Sequence, residues 1–293
     1  MTPMHDQRAL RRRRAQEENL TAQLIGGAPF AGRYRVTGKS GRVHEVKFRQ
    51  ARGAVCRCDC QDFETNGLGT CKHIEAVRLA LEARFSPAEL SEHAGKASRP
   101  SWEGRRVDDA VTFFDLETQR LFQEVGGRHH LDRLGLAAAV TYCEGDGGFR
   151  HYFEDDAAAL IDRLLGASLV VGFNVLRFDY EVLAGYSKDA DLLYTVPTLD
   201  LMFELEQVLD WRPSLDSVAR ATLGTTKTAS GLQAVEWYRE GRIEEIVEYC
   251  EEDVSLTRAL FQHGLREGRL SVLDREGAVI EVPAPWGHGL LAA

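Results

Sequence analysis

What this sequence lacks narrows its class before any motif is considered. No uninterrupted apolar run in its 293 residues reaches the roughly 20 residues a bilayer-spanning helix needs. The arginines at 11–14 lead into AQEENLTAQ instead of an apolar stretch. No signal peptide is therefore expected, and the expected location is the cytoplasm of a bacterial-type cell, the nucleoid included. There is no internal repeat. The small-residue segment GTTKTASG, residues 224–231, offers Lys227 as a phosphate contact but lacks the G-x-x-x-x-G-K-[ST] spacing of a nucleotide-binding loop. Cysteine is sparse and uneven: of six, four fall between positions 56 and 71. That clustering in a long chain is a poor match to a disulfide framework.

What is present describes an ordinary soluble globular chain, 44% hydrophobic and 28% charged, with a net charge of −9. Its length suits two domains, and the charge is divided. Residues 1–108 carry 20 Lys and Arg against 13 Asp and Glu, a net +7; the remaining 16 basic and 32 acidic residues give −16. A basic front and an acidic back suggest separate roles, the front approaching a polyanion.

Periodicity and turn signals order the chain. Residues 4–25 read as a polar helix with a basic beginning, so 1–28 form an N-terminal helical segment. GRYRVTGKSGRVHEVKFRQ alternates around a glycine-containing turn as a hairpin, AVCRCDC follows as a further strand, and CKHIEAVRLALEARF as a helix; this unit spans 29–86. The Pro-, Gly- and Ser-containing stretch 87–107 reads as a linker. From 108 to 268, a strand (VTFFDLE), a hairpin around EGDGG, a short helix, a buried strand (LVVGF) and a helix-rich remainder make an α/β arrangement. Residues 269–293 resemble a hairpin tail.

Cys58, Cys60, Cys71 and His73 give C-x-C, ten intervening residues, then C-x-H. Three thiolates and an imidazole suit a closed, structural Zn²⁺ site. The first pair would leave a strand and the second enter a helix, whose N-terminus favours the Cys71 thiolate. Cys56 leaves a second register open, since 56/58 is also C-x-C. The pattern resembles the SWIM zinc finger, including the aromatic after the first pair (Phe63) and the CKHIEAV helix start. The resemblance implies one structural Zn²⁺ and binding of DNA or protein.

In TFFDLET, Asp115 and Glu117 are two apart on a strand and share a face. In GFNVLRFDY, Asp179 opens a helix behind Asn174 and Phe178. In YCEEDV, Tyr249 and Asp253 lie i,i+4 on one helix face, and Asp253 borders the apolar stripe of Ile246, Cys250, Val254 and Leu260. A carboxylate turned inward is costly unless a cation meets it. D-x-E, then N-x-x-x-F-D, then Y-x-x-x-D resembles the DEDDy 3′–5′ exonucleases, in the predicted-exonuclease branch found beside helicases.

That resemblance, over residues 109–268, implies a ribonuclease H-like mixed sheet flanked by helices. It also implies two Mg²⁺ or Mn²⁺ ions held by Asp115, Glu117, Asp179 and Asp253, with Asp115 bridging and Tyr249 orienting water. Asn174 and Phe178 would shape the substrate site. Asp200 in PTLDL reads as a helix cap. The expected function is metal-dependent 3′–5′ hydrolysis of nucleic acid, DNA before RNA, with a helicase or repair protein as an expected partner. The rivals are a ribonuclease H-type endonuclease and a non-catalytic scaffold.

Overall fold

The structure is a computed structural model that describes residues 4–49, 56–66, 69–95, 111–209, 211–225, 231–274, 276–284 and 286. Two compact units emerge, one of Met1–Ser98 with Gly127–His129, the other of Arg99–Gly126 with His130–Ala293.

In the first unit, helix α1 (Met4–Glu17) stops earlier than its polar run suggests. Asn19 takes a left-handed φ of 50°. The Leu20 amide reaches back to Ala15 O and that of Asn19 to Gln16 O, which is a Schellman closure. The chain then reverses into β1 (Thr21–Ala28), so residues 21–25, expected as helix, are strand. Their pairing with β2 (Ala31–Thr37) supplies ladder bonds that outweigh local helix propensity. Strands β3 (Val43–Arg49) and β4 (Arg57–Cys58) complete an antiparallel sheet of order β1-β2-β3-β4. Alternation sends Tyr34, Val36, Val46 and Phe48 inward, against Ile74, Val77 and Leu81 of α3. Helices α2 (Gln61–Asn66), α3 (Lys72–Arg84) and α4 (Pro87–Gly95) follow.

Helix α4 occupies the beginning of the expected linker. Its start is a capping box: the Ser86 amide donates to Glu89 Oε2 at 2.8 Å and the Glu89 amide to Ser86 Oγ at 3.4 Å. The rest of that linker, 96–107, lies outside the described residues.

The second unit is a five-stranded mixed sheet flanked by helices. It is built from β5 (Val111–Thr118), β6 (Leu136–Cys143), β7 (Gly148–Tyr152), helix α5 (Ala157–Leu165), β8 (Leu169–Gly172), helix α6 (Asp179–Leu183) and β9 (Thr198–Asp200). The order is β7-β6-β5-β8-β9: β5, β6 and β7 run antiparallel, and β5, β8 and β9 parallel. The short β9 ends at Asp200, the residue expected to cap the helix that follows. Pro197 disfavours the helical conformation for the residue before it, and its carbonyl accepts from the Val170 amide.

Helices α7 (Leu201–Leu209), α8 (Leu215–Leu223), α9 (Gly231–Glu240) and α10 (Ile243–Glu267) follow, then the hairpin β10 (Arg269–Leu273) and β11 (Val279–Pro283). That hairpin belongs to the main core. Leu270, Val272, Val282 and Trp286 pack with Phe113, Val254 and Phe261, and the Trp286 indole donates to Phe261 O at 3.1 Å.

Candidate functional site

β5 is central and its residues are almost all covered on both faces, as a strand between two layers should be. Residues 113, 115 and 117 point to the face crossed by α10, where Phe113 meets Phe261 at 5.5 Å between ring centroids. Further along that face the packing partners shrink to the alanines of LAAAV. Ala138 stands opposite Glu117 in the register and packs with Ile246 and Tyr249 of α10. Small side chains there let the helix lie close to the carboxylates.

The consequence is convergence. One carboxylate oxygen each from Asp115, Glu117 and Asp253 lies within 4.8 Å of the others. Glu117 and Asp253 are buried, at 8% and 5% exposure. Asp179, only 2% exposed, accepts the Leu116 amide through Oδ1 at 3.1 Å, which ties the start of α6 between the two β5 acids. Burial, and next the charge of Asp115, push the Asp179 carboxyl well above its usual range. Tyr249 joins from α10. Burial and the charges of Asp253, Glu117 and Asp115 raise its phenol. Trp237 holds the Tyr249 ring edge-on at 6.2 Å. Asp115, Glu117 and Asp253 thus share one small volume, with Asp179 held at the Leu116 amide and Tyr249 on the same helix as Asp253.

Such a set of buried like charges fits hard divalent cations, which take anionic oxygen donors. Without them the carboxylates repel one another, and that repulsion adds to burial in raising Asp179.

Three residues escaped sequence reasoning or exceed it. Cys250, fully buried, directs its thiol at Asp115, 3.4 Å from the carbonyl oxygen and 3.6 Å from Oδ2. Its place three residues before Asp253 on the same stripe was the available signal. Asp200 does cap α7, accepting the Phe203 amide, but it also accepts the amides of Asn174 at 2.8 Å and Leu176 at 3.1 Å. It therefore braces the loop that delivers Asp179. Gly231 starts α9 where an added Cβ would lie 3.7 Å from Glu117 Oε2; nothing in the sequence marked it.

Asn174 acts here through its backbone. Its φ of 73° is a left-handed turn that asparagine tolerates, and its carbonyl accepts from Arg177 and Phe178. Phe178 precedes Asp179 and meets Phe122 edge-on at 6.1 Å. Lys227 lies outside the described residues.

In the first unit, Cys58, Cys60, Cys71 and His73 each place a ligand atom within 4.8 Å of the others, and all four are buried. The His73 Nδ1 lies 3.6 Å from Cys58 Sγ and 3.9 Å from Cys71 Sγ. Cys56 stands apart, directed at Arg49 O at 3.7 Å, so the 58/60 register forms the cluster. Bonds from Cys58 and Cys71 drive the Cys60 thiol down, while the Cys58 thiol is pushed up, first by its bond to Cys60.

Cys71 also goes up, because burial outweighs the helix N-terminus that was expected to ionise it. Three thiols and an imidazole converging in this way form an S₃N donor set that suits Zn²⁺. Beside it, His44 stacks on His73 at 4.1 Å and bonds Asp59 at 2.8 Å through Nδ1.

Comparison with known proteins agrees with the second unit. No curated protein matches the chain. A family model described as the RNase_H superfamily matches residues 112–264, which begin in β5 and end in α10 and so contain every acid of the cluster. With more than half of the 293 residues inside that match, and a mixed sheet carrying converged carboxylates within it, the chain belongs to the RNase_H superfamily.

Proposed function

We propose that the chain is a metal-dependent 3′–5′ exonuclease of the DEDDy kind, acting on DNA in preference to RNA, with a SWIM-type zinc module at its front. The observation that carries this reading is the meeting of Asp115, Glu117 and Asp253 within 4.8 Å, with Asp179 tied beside them and Tyr249 one turn before Asp253 on α10. Family membership supports nuclease-type chemistry and nucleic acid as the substrate class. The exonuclease assignment rests on the tyrosine four residues before the last acid.

Asp115, Glu117 and Asp253 would hold one divalent ion, and Asp115 with Asp179 a second. When bound, Mg²⁺ or Mn²⁺ supplies the charge that activates water and stabilises the leaving oxygen. The chain's own work is positional. β5 and α10 hold the carboxylates where charge develops, and the Leu116 amide fixes Asp179. Tyr249, kept protonated by burial and by its acidic neighbours, presents a hydroxyl that can orient the attacking water. Cys58, Cys60, Cys71 and His73 would hold the Zn²⁺ that secures the small first unit.

The test is degradation of 5′-labelled single- and double-stranded DNA and RNA with Mg²⁺, Mn²⁺ or chelator. We expect ladders shortening from the 3′ end of DNA, dependent on Mn²⁺ or Mg²⁺ and absent in Asp115→Asn. Cutting of closed circular DNA would instead assign a ribonuclease H-type endonuclease. Wild type indistinguishable from Asp115→Asn would leave a binding scaffold.

A further inference from the structure

The four arginines at 11–14 are the obvious polyanion contact in the sequence, yet the fold engages the first two of them. Arg11 is buried and holds Asp62 in a two-point pair at 2.7 and 3.0 Å, and Arg12 is paired with Glu82. A second group of cations lies on the outer face of the first unit's sheet. There the register sets Arg33 opposite Lys47, Arg35 opposite Glu45 and Ala31 opposite Arg49, while the alternate residues Tyr34, Val36, Val46 and Phe48 fill the core behind. Arg57 continues the row opposite Lys47, but it is buried and belongs to the packing.

Like charges directly opposite on neighbouring strands, about 5 Å apart, destabilise a sheet. Arg33 facing Lys47 is such a pair, and folding alone does not call for it. The one acid on β3's outer face, Glu45, meets Arg33 at 3.6 Å with both side chains about half exposed, a pair of little strength. Arg35 and Lys47 have no ion pair among the described residues. β2 and β3 therefore present Arg33, Arg35 and Lys47 on that face against the single acid Glu45.

We propose that this face, with Arg33, Arg35 and Lys47, is a track for the phosphate backbone of a nucleic-acid strand. It would hold substrate without reading sequence while the acidic second unit acts on the end. A run of phosphates offers one charge per nucleotide and matches a row of point charges. The identity of the polyanion rests on the proposed nuclease reading; the location of the face does not.

The test uses the full zinc-loaded chain in the Asp115→Asn background, without added Mg²⁺ or Mn²⁺. Binding of a fluorescent oligodeoxythymidylate is followed by anisotropy over a salt series. Arg35→Gln with Lys47→Gln should weaken binding about tenfold at low salt and reduce the slope of log K against log salt by about 1.4, the value for two lost contacts to a single strand. Arg266→Gln, on the exposed end of α10, should change neither. Unchanged zinc content shows that the variant is folded.

Equal affinity and slope in the double variant would overturn the proposal, and so would displacement of the oligonucleotide by polyglutamate at lower concentration than by unlabelled strand. If the otherwise wild-type chain hydrolyses nothing but the double variant still loses affinity and slope, the track stands and the nuclease reading falls.

Discussion

Burial beside Asp115 raises the Asp179 carboxyl, so the folded, metal-free site keeps a proton that the unfolded chain releases near the ordinary value of 3.8. The folded state then binds more protons than the unfolded one above that pH. The contribution of this group to stability is fully present below 3.8 and is lost as pH rises through the elevated folded pKa. Melting temperature measured without added Mg²⁺ or Mn²⁺ should decline across that window, and Mn²⁺ should restore it more strongly at higher pH. A rising profile would contradict the raised carboxyl.

Asp115→Asn removes the leading charge on Asp179. It should flatten the decline, raise the metal-free melting temperature, cancel most of the Mn²⁺ effect and abolish hydrolysis. A substitution that stabilises the fold while ending activity is the signature of charges held together for function. The acids themselves were legible because D-x-E and Y-x-x-x-D have spacings that place both members on one face. The Cys250 thiol against Asp115 was not, because an apolar stripe position does not say which strand residue it will meet.

At the level of elements, α10 and the terminal hairpin are joined by a contact that tolerates no added atom. A Cβ on Gly264 would stand 2.6 Å from Trp286 Nε1. Gly264→Ala should therefore displace the indole, break its bond to Phe261 O and cost about 1–3 kcal/mol, read by urea denaturation. The same substitution at exposed Arg266 should cost little. Local signals located most elements, since amphipathic α5 and α10 and the two hairpins carry clear periods. They failed where pairing or capping decided the outcome. Residues 21–25 are strand because β2 is available to them, and β9 exists because β8 lies alongside. In α4 the signal was present, as Ser-Pro-x-Glu at 86–89, but a stretch rich in glycine, proline and serine masked it.

On the scale of the whole molecule, each unit has its own means of cohesion. The second contains the large core of Phe113, Val171, Val254, Leu260 and Phe261, while the first surrounds its four-ligand cluster with a smaller one. Cys71→Ala should therefore abolish bound zinc and the cooperative melting of the first unit, yet leave Mn²⁺-dependent cleavage of a dinucleotide intact. Zinc by atomic absorption, calorimetry and dinucleotide turnover check this together. Loss of turnover along with zinc would show that the second unit depends on the first.

The sequence by itself determined the separation into a basic, cysteine-bearing front and an acidic α/β back, together with the identity of the ligand-type residues in each. Composition and spacing are local properties, and both survive without a fold. Only the tertiary structure decided that Asp115, Glu117 and Asp253, up to 138 positions apart, share one small volume, that Cys56 stays out of the thiol cluster, and which arginines remain on the surface. Those outcomes depend on strand register and on how closely a helix can approach a row of alanines, and packing sets both.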